Sequence, residues 1–294
     1  MFDRERIRGV IPPLATPLTP DEKLDEQGLR TLIAKILDAG CHGILVLAGT
    51  GEGLYLSDQV RAQVIEVAVD EGAGRVPVIA DISDVSVARA VSRGRQAEEL
   101  GADVLISIPP FQRVMKPPEV YEYYLALAEE TRMPTMLYNF GSTNISIGTI
   151  VRLAEHENIV GIKDAVDFSH VASVAIHTKG SGLRILVGWE FDFVPGMMMG
   201  CVGGTPAVGN VWPEIAIETY ESCVAGDWER ARDLQETLTR FTEDSLTFPW
   251  IAGCNYALSL LGVCGPTVMR PQSTLTEEDQ ARVRKWLTDF DLME

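Results

Sequence analysis

Lys163 lies in Asn158-Ile-Val-Gly-Ile-Lys-Asp164, a short apolar run with the pattern of a buried β-strand. Side chains alternate along a strand, which puts Ile159, Gly161 and Lys163 on one face and Val160 and Ile162 on the other. An ammonium on an apolar face is costly to desolvate unless it is paired or loses its proton. Losing the proton makes the amine a nucleophile that can form a Schiff base with a carbonyl compound. The strand alone also accommodates a structural lysine, paired with Asp164 or reaching water. Tyr138, in Leu137-Tyr138-Asn139, ends another apolar run and can relay protons or donate to a substrate oxygen. A core tyrosine with a satisfied hydroxyl gives the same pattern. In Ala48-Gly49-Thr50-Gly51-Glu52, small residues let backbone N–H groups approach a ligand, and the Thr50 hydroxyl can join them in holding a carboxylate. A tight turn without a ligand reads the same way.

The elements that must position these residues alternate regularly. Strand-like runs at Val10–Leu14, Gly43–Leu47, Val76–Asp81, Val104–Ile108, Pro134–Asn139, Ile159–Lys163, Arg184–Val187 and Cys201–Thr205 are separated by amphipathic stretches such as Glu26–Ala39, Asp58–Glu71, Val85–Leu100 and Pro118–Thr131. Near-continuous apolar strands, each followed by a helix, imply a parallel sheet covered on its faces. Eight such units favour a closed (β/α)8 TIM barrel, and Val10-Ile-Pro-Pro-Leu14 lacks the glycine fingerprint of an open nucleotide-binding sheet. The eighth helix is expected at Trp212–Ala225. Beyond it, Asp227–Phe241, Phe248–Leu261 and Thr276–Phe290 read as three more helices. The expected division is therefore a barrel over 1–225 carrying the active site and a C-terminal helical extension over 226–294. Barrel sites sit at the C-terminal strand ends, which brings Tyr138 and Lys163, on adjacent strands, into one pocket. The glycine-rich Gly200–Asn210 segment suits a pocket wall or a phosphate cradle.

A net charge of −17 over 294 residues, with no basic cluster, argues against nucleic-acid binding. No apolar run approaches the ~18 residues of a membrane span, and no signal-peptide core follows Met1, so no membrane association and a cytoplasmic location are expected. Cys41, Cys201, Cys223, Cys254 and Cys264 are scattered and odd in number, which suits reduced packing residues. The four histidines lack metal-ligand spacing, and His170 and His177, seven apart on one helix, suggest a solvated face.

Pro13-Leu-Ala-Thr16-Pro-Leu-Thr19, Gly49-Thr50-Gly51-Glu52, Leu137-Tyr138-Asn139, Gly161-Ile162-Lys163-Asp164 and the glycine-rich segment ending Asn210-Val211 follow one another in an order and spacing that spans nearly the whole chain. In this the chain resembles the dihydrodipicolinate synthase and N-acetylneuraminate lyase superfamily of class I, Schiff-base aldolases. The resemblance implies that Lys163 forms an imine with a 2-oxo acid, usually pyruvate or a sugar-derived relative. It implies that Tyr138 moves protons near that imine. Gly49, Thr50 and Gly51 would bind the substrate carboxylate, and Gly188 and Thr205 would line the pocket. It further implies a homotetramer built as a pair of dimers, with no metal and no cofactor beyond the covalent imine.

The chain also departs from that pattern. Ala48 and Gly49 stand where the family's turn begins Gly-Thr, which alters a hydroxyl proton relay. Pro109-Pro110-Phe111-Gln112 replaces a relay tyrosine, and Thr143 occupies the position of an arginine that clamps the second substrate's carboxylate. Without that guanidinium, lysine-pathway synthase activity is not expected. The leading expectation is a lyase that makes or breaks a C–C bond to a pyruvate-derived enamine, with a 2-oxo-3-deoxy sugar acid as substrate. One alternative is a dehydratase of the 5-dehydro-4-deoxyglucarate type. Another is a benzylidenepyruvate-type hydratase-aldolase with Phe140, Phe111 and Trp189 around an apolar acceptor pocket. A last alternative, of a different class, is a catalytically silent binder of 2-oxo acids.

Overall fold

The computed structural model describes residues 2–141 and 144–294. Thr143 therefore lies outside the described residues. Eight parallel strands make one sheet: β1 (Gly9–Val10), β2 (Ile44–Val46), β3 (Val78–Asp81), β4 (Val104–Ser107), β5 (Thr135–Phe140), β6 (Ile159–Ala165), β7 (Arg184–Val187) and β8 (Gly203–Gly204). Their order is β1-β8-β7-β6-β5-β4-β3-β2. A parallel bridge between Pro13 and Leu45, with the Leu14 N–H donating to Leu45 O at 2.8 Å, joins the two ends and closes the (β/α)8 TIM barrel.

One helix follows each strand: α1 (Glu26–Asp38), α2 (Asp58–Gly72), α3 (Val87–Glu99), α4 (Pro117–Thr131), α5 (Ile147–Leu153), α6 (Phe168–His177), α7 (Phe193–Met199) and α8 (Pro213–Ala225). Their starts follow from local chemistry. The side chains of Asp25, Ser57, Ser146 and Asp167 accept the N–H groups of Gly28, Val60, Thr149 and His170, which helical bonding leaves free. Pro117 and Pro213 occupy first-turn positions, where a missing N–H costs nothing. Three further helices complete the chain: α9 (Trp228–Ser245), α10 (Trp250–Leu260) and α11 (Glu277–Asp289). No helix among the described residues is long and apolar enough to cross a membrane.

Two apolar clusters show how the chain is layered. Ile11, Leu45, Ile79, Ile106, Met136 and Leu186 fill the barrel interior, while the larger cluster lies between strands and helices. The first and last strands are shorter than the apolar runs from which they were expected. Prolines at 12 and 13 remove ladder donors after β1. At β8, Gly203 has φ 154°, and a Cβ there would lie 2.0 Å from Gly9 O, so the seam closes by an approach only glycine permits.

Strict alternation fails on β6. Thr135 pairs with Ile159 but Met136 pairs with Gly161, so Val160 is an extra residue in the ladder. Val160 consequently joins the interior cluster, while Ile159 packs outside with Ile162. The expectation that Ile159 shares the Lys163 face is thus overturned. Beyond the bulge the alternation is regular, and Lys163 and Ala165 face inward.

Candidate active site

The β5–β6 ladder sets Tyr138 directly opposite Lys163. The Lys163 Nζ lies over the Tyr138 ring, 4.5 Å from its centroid. Both side chains are buried. Burial pushes the Lys163 amine down to about 8, although the Asp81 and Glu190 carboxyls pull the other way. Burial, followed by the field of Asp81, holds the Tyr138 phenol above its ordinary range, so it is a proton-bearing phenol at neutral pH. A lysine bound to Asp164 is not what the strand holds. Asp164 turns to the opposite face, accepting from Asn139 Nδ2 at 3.0 Å and meeting His170 Nδ1 at 2.7 Å.

That contact corrects the reading of His170 as part of a solvated face. Its ring is wedged between Asp164 and the Ile145 carbonyl, 3.0 Å from Nε2. Burial lowers its pKa, but the Asp164 carboxylate, the Ile145 carbonyl and the charge of Asp167 together outweigh this and leave it raised. The helix period places His170 and His177 in one sector but does not report how near α6 lies to β6 at each end. His177, at the far end, is exposed.

A cavity of about 440 Å³ opens above Lys163, within the roughly 300–1,000 Å³ range of small-molecule sites. Lys163, Tyr138, Gly49, Thr50, Gly188 and Thr205 all line it. Gly188 is required sterically, since a Cβ would come 2.3 Å from the Ala165 Cβ. The Thr205 N–H donates to Val187 O at 2.8 Å, fixing the start of the β8 loop at the rim. Gly51 stands behind the turn rather than in the lining. Its carbonyl accepts from Thr16 Oγ1 at 2.7 Å, and a Cβ would meet Leu14 O, so it packs the turn against the loop after β1. Phe140 and Trp189 line the cavity, whereas Phe111 does not; it is exposed beside a separate groove between the β4 loop and α4.

The phosphate cradle is not formed at Gly200–Asn210. The buried Glu190 carboxylate accepts the Val208 N–H at 3.1 Å, which occupies a donor and sets an acid against any anion there. Asn210 instead serves the barrel seam, accepting from Ala15 N at 2.9 Å and donating to Pro13 O at 2.9 Å.

Several residues around the site were missed in the sequence. Asp81 is buried at the end of β3, where its carboxylate accepts the Ser83 N–H at 2.8 Å. It carried the same signal as Lys163, a charge ending the apolar run Val78-Ile-Ala. Glu190 follows a strand end in the same manner. The cavity roof, with Leu246, Trp250, Ile251 and Gln272 from the last third of the chain, carried no local signal.

The chain matches the model of the dihydrodipicolinate synthetase family over residues 6–290. It is 31% identical over 290 residues to an uncharacterized DapA-like lyase of Halobacterium salinarum, covering 98% of this chain and 95% of that protein. It is 33% identical over 295 residues to the 4-hydroxy-tetrahydrodipicolinate synthase of Methanopyrus kandleri, covering 98% of each. Among solved structures, YagE, a prophage protein of Escherichia coli K12 belonging to the dihydrodipicolinic acid synthase family and captured in complex with pyruvate, superposes with a TM-score of 0.92 at 27% identity, over 97% of this chain and 99% of that one. The dihydrodipicolinate synthase of Bacteroides thetaiotaomicron gives 0.91 at 32% identity, over 96% and 98%.

Proposed function

The chain belongs to the dihydrodipicolinate synthetase family, and from that premise we propose that it is a Schiff-base lyase acting on a 2-oxo acid through Lys163. The observation that carries this reading is a desolvated amine, brought down to about 8, on the floor of a cavity and against a protonated phenol. The amine adds to the 2-oxo carbon and water leaves, giving an iminium. The C3–C4 bond of the substrate then breaks and its electron pair moves into the iminium, while the C4 hydroxyl gives up its proton and becomes an aldehyde. The enamine takes a proton at C3, and hydrolysis returns pyruvate and free Lys163. Tyr138 is suited to carry the hydroxyl proton, and Thr50 with the turn amides to hold the donor carboxylate. The relative crystallised with pyruvate supports the choice of donor.

The acceptor end of the cavity favours an apolar group over the 2-oxo-3-deoxy sugar acid. Leu54, Phe140, Trp189, Leu246, Trp250 and Ile251 outweigh the uncharged polar Thr242, Ser245 and Gln272 among its lining residues. Lys163 is the sole cation among the described lining residues, so a second carboxylate has no partner there. The test has two arms. Borohydride with pyruvate should add a reduced pyruvyl mass at Lys163; no adduct would sink the imine reading. In the second arm, 4-hydroxy-2-oxo-4-phenylbutanoate should split to pyruvate and benzaldehyde with kcat/KM about 10²-fold above a 2-oxo-3-deoxy sugar acid. Equal turnover would reject the apolar acceptor while keeping the imine, and water loss without pyruvate release would identify a dehydratase.

A homotetramer is also proposed. The groove lined by Val85, Met115, Pro118 and Tyr123, with Val114 exposed beside it, offers an apolar face for a second copy.

A further inference from the structure

Two buried side-chain atoms among the described residues lack a hydrogen-bond partner: Oε1 of Glu52 and Oδ1 of Asn255. They belong to neighbouring side chains. The Asn255 amide is anchored from the other side by Nδ2, which donates to Thr267 O at 2.8 Å. On Glu52, Oε2 already accepts the Met269 N–H at 2.7 Å and the Gln272 side-chain amide. An ionised Glu52 would leave Oε1 a buried carboxylate oxygen with no hydrogen-bond partner. A proton on the carboxyl removes that buried, unpaired charge while Oε2 keeps its two donors.

We infer that Glu52 is a positioning residue, held as a neutral carboxylic acid that latches the Gly49–Gly51 turn of the cavity to the C-terminal segment carrying Asn255 and Gln272. The latch joins positions more than 200 residues apart, and its two sides meet at the cavity, which Gly49, Thr50 and Gln272 line together. Glu52 itself has φ 56°, a left-handed backbone unusual outside glycine, and that turns its side chain toward the extension. Burial raises the carboxyl to about 7, against the opposing pull of the Met269, Gln272 and Asn255 bonds. Among the described residues, the other ionisable neighbours supply no counter-charge. Burial keeps Cys254 of α10 a thiol, Arg61 of α2 is bound to the carbonyls of Gly53 and Asp81, and Arg270 is paired with Glu22. The folded-state value lies above the ordinary 4.5, so the stability it contributes is full below about 4.5 and lost as pH rises through about 7.

In its bearing on turnover the inference rests on the Lys163 imine, so two readouts are independent of catalysis. Difference infrared spectra of wild type against Glu52→Gln should contain a protonated-carboxyl C=O band at pH 5.5 that is gone by pH 8.5. The thermal midpoint of Glu52→Gln relative to wild type should climb between pH 5 and 7.5 and then level off. Absence of the band at pH 5.5, or a midpoint difference that does not vary with pH, would overturn the latch. A third arm addresses positioning. Glu52→Ala should raise the pyruvate concentration needed for half-maximal trapping by about 10-fold with little change in the limiting rate, and Glu52→Gln should restore much of it. An unaltered pyruvate requirement in a folded Glu52→Ala would reject the positioning role. If wild type traps no pyruvate, the imine reading fails, and the infrared and thermal arms still decide the latch.

Discussion

At pH 7 an ordinary lysine with a pKa near 10.5 is unprotonated in about one molecule in three thousand, whereas one at about 8 is unprotonated in about one in ten. Desolvation thus supplies Lys163 with a several-hundred-fold larger share of nucleophile, and the carboxyls of Asp81 and Glu190 keep the shift from going further. The same carboxyls face the cation that an iminium would create. The pH consequence has a definite sign, since the protonated amine is inert. The borohydride trapping rate with pyruvate should be lost as pH falls below about 8 and should flatten above it, and Lys163→Ala should give no adduct at any pH. A single-turnover pH series checks this; a midpoint near 10.5 would remove the desolvation argument. Lys163 and Tyr138 were legible because each interrupts an apolar run near the C-terminal end of its strand, where a polar side chain needs a reason. Asp81 ends its run at the close of β3 and carried the same signal, but it went unread. His170 was not legible, because its environment comes from Asp164 and Ile145 on other elements.

Elements were legible to the extent that their causes are local. Caps such as Ser57 and Asp167, and the proline starts of α4 and α8, act within one turn and can be read from a few residues. Strand ends and ladder register depend on a partner, which is why β1 and β8 are shorter than their apolar runs and why the Val160 bulge went unread. The β1–β8 seam has few ladder bonds, and Asn210 reinforces it with two bonds to the segment after β1. Asn210→Ala would leave the buried Ala15 N–H and Pro13 C=O without partners. We expect a loss of about 2–3 kcal/mol in urea unfolding with the secondary structure retained. A loss below about 0.5 kcal/mol would mean that other groups satisfy the seam.

At the scale of the whole molecule, the C-terminal helices are part of the site because α9 and α10 roof the cavity. They are anchored by an aromatic cluster in which Phe241 of α9 packs against Trp286 of α11, Phe290 and Trp212. The Trp286 Nε1 also donates to Phe241 O at 2.9 Å, tying α9 to α11 behind the roof. Trp286→Ala should cost about 3–5 kcal/mol in denaturant unfolding and, under native conditions, weaken pyruvate trapping through a loosened roof. Full stability would show that the roof is held elsewhere. By itself the sequence determined the barrel, the strand that carries each reactive side chain and the family resemblance, because apolar period, caps and glycine turns are properties of contiguous residues. Only the tertiary structure decided that Asp164 belongs to His170 and that buried carboxyls surround Lys163. It alone set Gly51 behind its turn, and joined Glu52 to Met269 and Gln272 from the far end of the chain. Those are relations of charge and hydrogen bonding across barrel and roof, and electrostatic energy depends on distance in space rather than along the chain.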